Sequence, residues 1–469
     1  MSTARRVAAS AGWQSGAKIA VALIGVASVA VLTRYLGTDD YGAYALGFGF
    51  LALFGAVADL GLFSILVRDI SREPERTDEL VGNGLTLRAL LWLVVSLVAI
   101  GVALVLPYEP EVRWAIALAA LPFGMGLVTG ALRAGMQARL QMAGVSGAEV
   151  AGRALTFAAA AAAAWLDLGF TAVLLTAALG AALTFLLTMV VARQAFAVRP
   201  QADLRVWRSL LLAGLPLGLA LGINELYFRA DQLIISLSRP LAEVGWYGLA
   251  FRVVELVATL PGTLLVSLFP IISAQVAARD PALRETFQRG FDVLVAAGIP
   301  LALGGLVLSE PVVDAVAGEA FGPAGDALRI LLFAAALMFV NGLFGYALIA
   351  RDRQRDTLWL NVTALVVNVG LNLALVPTYG IDAAAGVAVA SELVILAGGM
   401  WLVHRHLGLL PAPGMALRAT GAAAAMTALL WVCSDLPLAV LLVLAAVSYP
   451  AALWALGGLR AEQLAAIRR

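Results

Sequence analysis

The sequence predicts an all-α polytopic membrane protein of about fourteen transmembrane helices, and three observations predict it. Of its 469 residues 62% are hydrophobic and 13% charged, with a mean hydropathy of +0.94; that is too little polar surface for a soluble chain of this size. Apolar runs of about 20 residues, the length that crosses a ~30 Å hydrocarbon core, recur from end to end. The arginines gather in every second break between those runs, as cytoplasmic loops do.

Taken in order, the run 13–36 is long enough to span and is followed by many others, so it reads as a retained helix and not a cleaved signal peptide. Runs 41–67, 84–106, 113–133, 145–165 and 170–192 follow between charged or Pro/Gly-rich breaks. The fifth carries the alanine run Ala158–Ala164, whose small side chains suit close helix packing in a membrane. Runs 209–237, 246–275 and 290–309 contain Pro216, Pro261 and Pro300, residues that permit bends. The series ends with 325–350, 356–376, 382–403, 415–433 and 437–457. With the N-terminus inside, cytoplasmic segments hold 22 of the 31 basic residues, from Arg5 and Arg6 through Arg72, Arg139 and Arg208 to Arg460, Arg468 and Arg469. Outer segments are acidic instead, as at Asp39, Asp40, Glu109, Glu111 and Glu319. This puts both termini in the cytoplasm and the protein in the plasma membrane.

Composition also excludes function classes. A net charge of +1 leaves no basic excess for nucleic acid. The single cysteine, Cys433, forbids an intrachain disulfide and a cysteine metal site. His404 and His406 read as a basic helix end beside Arg405, not as metal ligands, so neither a metal nor another cofactor is expected. Lys18 is the only lysine and lies in Gly16-Ala17-Lys18-Ile19, so the chain has no P-loop. Energy must then come from a gradient, the membrane potential, a partner or the cargo's own flux. No loop is long enough for a soluble catalytic domain, which weighs against a membrane glycosyltransferase or polymerase and for a non-enzyme.

An internal repeat relates Gly42-Ala43-Tyr44 to Gly245-Trp246-Tyr247, both opening an apolar helix after a short polar turn. Two copies of six helices in the same orientation make a parallel repeat. The expected organisation is therefore an N-lobe over 1–200, a C-lobe over 201–410, and two further helices with a cytoplasmic tail over 411–469.

Charges inside the spans point to a site. The stretch Ile223–Pro270 holds Glu225, Arg229, Asp231, Arg252 and Glu255. One charge at the bilayer centre costs about 2.5–3.5 kcal/mol on insertion scales, so these groups must face each other, water or a cargo. They lie toward the outer side. In the first half, Lys18, Asp59, Arg88, Glu149 and Arg153 lie toward the cytoplasmic side, with Gln14 and Gly25 sharing the face of Lys18. Helical spacing lets Glu149 pair with Arg153, Glu225 with Arg229 and Arg252 with Glu255, and Asp59 can neutralise Lys18. One reading is structural ion pairs between helices. The other is a hydrated cavity in which Lys18, Arg88, Arg153 and Arg252 hold an anionic group, arginine being suited to phosphate by its fork of donors.

Motifs spread over the chain resemble a known family. Leu36-Gly37-Thr38-Asp39-Asp40-Tyr41-Gly42-Ala43-Tyr44, then Ala58-Asp59-Leu60-Gly61-Leu62 and Val67-Arg68, is similar to the N-terminal signature of Wzx-type oligosaccharide flippases. Asp231, Gly245, Tyr247, Arg252 and Leu268-Phe269-Pro270 resemble their second-half signature, and Gly318-Glu319-Ala320-Phe321 with Leu328-Arg329-Ile330-Leu331 is a third match. The resemblance implies the fold of the multidrug/oligosaccharidyl-lipid/polysaccharide exporter superfamily: two six-helix lobes around a cavity and two helices at the end. It implies a flippase that carries a polyprenyl-phosphate- or diphosphate-linked oligosaccharide from the cytoplasmic to the outer leaflet by alternating access. Membrane lipid, H+ or Na+, and glycan-assembly machinery are the implied partners. A phosphate would be taken first by Lys18, Arg88 and Arg153 and passed toward Arg252. The alternatives are a lipid II flippase, for which a richer set of first-helix cations than Lys18 is expected, and a cation-coupled multidrug antiporter, for which twelve helices are expected.

Overall fold

The computed structural model describes residues 3–458, and the side chains of residues 3–15, Ala56 and Thr263 are outside the description. Gln14, Arg5, Arg6, Arg460, Arg468 and Arg469, named above for the polar stripe and the basic termini, lie outside the described side chains. Among the described residues there are helices and turns but no strand. Among the described residues eleven helices are long and apolar enough to cross a membrane. Two of these spans, Gly16–Arg72 and Gln354–Leu407, run for 57 and 54 residues, more than twice the ~20 that one crossing needs. Each is broken at a glycine: Gly37 (φ 71, ψ −169) and Gly380 (φ 65, ψ −147) adopt backbone conformations that any Cβ would strain. Both glycines fall in the intervals, 37–40 and 377–381, that separate neighbouring apolar runs in the sequence. α5, with its alanine run, is not among the eleven; fourteen crossings stands as our proposal.

The chain divides into two compact units, Met1–Gly245 and Trp246–Arg469. The 200/201 boundary read from the repeat is a separate matter of sequence kinship, and we keep it as a proposal.

Unit 1 holds α1 (Thr3–Asp59), α2 (Leu62–Arg72), α3 (Thr77–Val105), α4 (Pro110–Ala138), α5 (Met142–Trp165), α6 (Gly169–Arg193), α7 (Leu204–Ser238) and the start of α8 (Leu241–Ala258). α1 packs on α4, α5 and α7, and α3 and α6 on α4. Their core includes Leu62, Leu66, Val81, Leu132, Val145 and Leu210. Small residues set the closest approaches. A Cβ on Gly152 of α5 would lie 2.6 Å from Gly180 O of α6, and one on Gly180 2.5 Å from Gly152 O. Ala160 and Ala163 in the alanine run are buried, as close packing of α5 requires.

The connection from α6 to α7 is tied along α3. Ala197 N donates to Asp78 Oδ1 at 3.0 Å, Gln201 N to Gly82 O at 3.2 Å and Asp203 N to Asn83 Oδ1 at 2.7 Å. Asn83 Nδ2 reaches Gln201 Oε1 at 3.4 Å, and Thr86 Oγ1 donates to Gln201 O. Asp203 in turn caps α7, accepting from Arg205 N at 2.8 Å. Asn83 is fully buried, so Asn83→Ala is expected to leave Asp203 N without its side-chain acceptor and to lower stability by about 1–3 kcal/mol, read as a drop in the unfolding midpoint of the detergent-solubilised protein.

Unit 2 holds the rest of α8, α9 (Leu260–Ala278), α10 (Leu283–Ala317), α11 (Gly322–Ala350), α12 (Gln354–Leu407), α13 (Gly414–Val432) and α14 (Leu438–Ala455). α8 and α9 form one apolar run interrupted just before Leu260-Pro261, where proline cannot supply the helical donor. α10, α11 and α12 pack in succession over Phe287, Phe339 and Phe344. α13 and α14 pack on α10, and Tyr449 Oη donates to Ala296 O at 2.6 Å.

Candidate functional site

The in-span charges sort by what each one touches. In unit 1, Arg88 on α3 is 2% exposed and donates through Nη2 to Asp59 Oδ1 and through Nη1 to Leu127 O at 2.8 Å. Gly130 on α4 admits the guanidinium where a Cβ would collide with Nη1. Asp59 therefore neutralises Arg88, not Lys18. It ends α1 at a break where Leu60 and Gly61 both have positive φ, and so the carboxylate reaches a neighbouring helix.

Glu149 also departs from expectation. It lies 3.6 Å from Arg133 of α4 and not on Arg153, its i,i+4 neighbour. Arg153 is exposed on α5, and Lys18 is exposed on α1. Among the described residues neither has a carboxylate within ion-pair distance. Of the three cations read in the first-half spans, Arg88 is thus paired in the core, while Lys18 and Arg153 are exposed on α1 and α5, apolar helices that pack on each other.

Glu225 and Arg229 pair at 3.2 Å on α7, as their spacing predicts. Asp231 is 3% exposed, and its Oδ1 accepts from Gln232 N at 3.0 Å. Beside them Leu46, Gly49, Phe50, Leu53, Arg229, Gln232 and Leu233 line a narrow cleft with no room for a water molecule. In unit 2, Arg252 meets Glu255 at 2.9 Å, yet its side chain stays 57% exposed while that of Glu255 is 28% exposed. Contact with Glu255 on one side leaves the rest of the fork exposed.

One polar group escaped the sequence reading. Asn341 on α11 is bound to Glu392 on α12, and Asn368, Asn372 and Ser391 form a buried ladder between the two arms of α12. Two signals could have found it: Glu392 is an acid in the interior of the run 382–403, whose other acid, Asp382, sits at its first position, and Asn368 and Asn372 are i,i+4 in an apolar helix. Among the described residues no cluster of three or more His, Cys, Asp or Glu could hold a metal ion.

Comparison with known proteins gives the chain a family. The family described as Polysaccharide biosynthesis protein matches residues 7–275, more than half of the chain, and the MatE family matches 216–374. "Probable flippase AglR" of Haloferax volcanii is 27% identical over 185 residues, which are 38% of this chain and 37% of that protein, so the match spans little more than a third of the relative. Among solved structures, the lipid II flippase MurJ in its inward closed conformation is similar with a TM-score of 0.75 at 12% identity, over 94% of this chain and 97% of that one. An inward-facing multidrug resistance MATE transporter of the MOP superfamily is similar with a TM-score of 0.66 at 16% identity, over 83% and 95%. At these identities the structures speak for the fold, and the family match speaks for kinship: the chain is a multi-pass membrane protein with the fold of the multidrug/oligosaccharidyl-lipid/polysaccharide exporter superfamily, and it belongs to the polysaccharide biosynthesis protein family.

Proposed function

We propose that this protein is a flippase that moves a polyprenyl-phosphate- or diphosphate-linked oligosaccharide from the cytoplasmic to the outer leaflet by alternating access. The observation that carries the reading is the pair of accessible cations, Lys18 and Arg153, within apolar helices and without a carboxylate partner among the described residues. A charge so placed is costly in lipid, and an anionic headgroup that arrives and leaves gives it a use. In unit 2, Arg252 offers an open guanidinium suited to the same phosphate. Arg88 has another role in this conformation, holding α1, α3 and α4 together through Asp59 and Leu127.

The topology we propose has both termini in the cytoplasm. Exposed tryptophans support the alternation of crossings: Trp114, Trp165 and Trp431 lie at helix ends assigned outside, and Trp359, Trp401 and Trp454 at ends assigned inside. Tryptophan favours both interfaces, so it supports the boundaries, and the arginine bias supplies the direction.

The test is transport by the purified protein in proteoliposomes, reading labelled lipid-linked glycans that become accessible in the opposite leaflet. Protein-dependent transfer of a glycan lipid is expected, and its absence across cargoes and ion gradients would sink the reading. Lys18→Ala and Arg252→Ala are each expected to lower transport about 10–100-fold, the worth of one charge-assisted hydrogen bond of about 1.5–3 kcal/mol, while the unfolding midpoint stays that of the parent. Normal transport in both variants would remove the cations from the path.

A further inference from the structure

Glu392 is a buried acid that the flippase reading does not use. It lies twelve residues past the break at Gly380, about 18 Å along the second arm of α12, which is near the middle of a ~30 Å core. Its residue is 3% exposed. A single amide nitrogen holds it twice: Asn341 Nδ2 donates to Glu392 O at 3.0 Å and to Glu392 Oε2 at 2.7 Å. Because that nitrogen serves two oxygens, the amide can point only one way. Asn341 Oδ1 is then left buried with no donor, in a residue 9% exposed.

An ionised carboxylate has acceptors only and can do nothing for that oxygen. A carboxylic acid has one O–H to give. An acid and a primary amide can close a ring of two hydrogen bonds, N–H to carbonyl and O–H to amide oxygen, which satisfies every polar atom of both groups. We propose that Glu392 is a proton-binding site whose protonated form is recognised by Asn341 across the packed α11 and α12. The only bond made is O–H on the carboxyl, the proton coming from water and returning to it. A metal cation fits less well, because it needs the amide oxygen turned toward the carboxylate, where the N–H donors now sit.

On these two helices, the charged and titratable residues are separated from the pair in sequence. α11 brings Asp326 and Arg329, bound to each other at 3.0 Å twelve or more residues before Asn341, and Tyr346, five residues after it, whose ring packs against Phe269. α12 brings Tyr379 and Asp382, at least ten residues before Glu392, then His404, Arg405 and His406 at the far end, with His406 3.0 Å from Asp356.

This inference concerns what the protein binds besides cargo and stands without the flippase reading. The test needs no glycan: infrared difference spectra of the full-length protein in phospholipid vesicles, recorded across a pH titration for the parent and for Glu392→Gln. A carbonyl band of a protonated carboxylic acid that titrates, moves on incorporation of isotopically labelled glutamate and vanishes in the variant is the expected result. Glutamine keeps a donor and an acceptor on the same scaffold, so the variant retains the pairing with Asn341. If the parent shows no titrating glutamate band, or the band persists unchanged in Glu392→Gln, the proposal is overturned. Should the protein also transport, Glu392→Gln is expected to flatten the pH dependence of the rate, and a pH dependence equal to the parent's would count against the site.

Discussion

Replacing Asp59 by alanine is expected to cost about 3–5 kcal/mol of stability, because it leaves Arg88 as an uncompensated buried charge. The guanidinium is 2% exposed, and its remaining contact is one carbonyl, Leu127 O at 2.8 Å. Asp59 itself is 25% exposed, so water takes up part of the loss and places the effect toward 3 kcal/mol. Removing both charges should undo most of it: Asp59→Leu combined with Arg88→Met replaces the pair with apolar groups of similar volume, an exchange that is often neutral. The measurement is the unfolding midpoint in detergent for both single variants and the double. A single-variant loss below ~1 kcal/mol, the range of a solvated surface pair, would mean that Arg88 is not sealed in. So would a double variant no better than the singles.

Gly42→Leu is expected to cost about 3 kcal/mol, at the upper end for overpacking, because the new side chain meets backbone that cannot rotate away. A Cβ on Gly42 would lie 2.9 Å from Leu241 C and 3.2 Å from Gly245 N, and one on Gly245 would lie 3.2 Å from Gly42 N. Two backbones thus touch reciprocally at the start of the second arm of α1 and the start of α8, at the very glycines that mark the internal repeat. Gly101→Ala is the control, since a Cβ there meets nothing within 4 Å and alanine gains about 1 kcal/mol of helix propensity over glycine. The control should be neutral or stabilising. Equal midpoints for Gly42→Leu and its parent would show that the two backbones do not need this contact.

The ion pairs show where sequence reasoning holds. Spacing on one helix correctly pairs Glu225 with Arg229 and Arg252 with Glu255, since i,i+3 and i,i+4 neighbours share a face whatever surrounds them. It fails for Glu149, which turns to Arg133 on another helix, and it offers no partner for Arg88, whose acid lies 29 residues away on α1. Rank by type misleads too: Arg88 and Arg153 are the same residue in similar apolar runs, yet one is sealed in the core and the other is exposed. Glu392 was passed over because an acid in an apolar run carries no mark of its partner, and Asn341 is 51 residues distant.

By itself the sequence determined that this is a membrane protein of apolar helices with breaks in the intervals 37–40 and 377–381, which hold Gly37 and Gly380; it read 41–67 and 246–275 as continuous, where the structure breaks at Leu60-Gly61 and at Thr259. Hydropathy, the span length and the permission glycine gives to a backbone are local properties, written in twenty residues or fewer. Only the tertiary structure decided which charges are neutralised, which remain accessible, and that an asparagine on α11 meets an acid on α12. Those facts depend on how each helix is rotated and offset against the next, and a rotation of one residue, about 100°, exchanges a buried partner for open space.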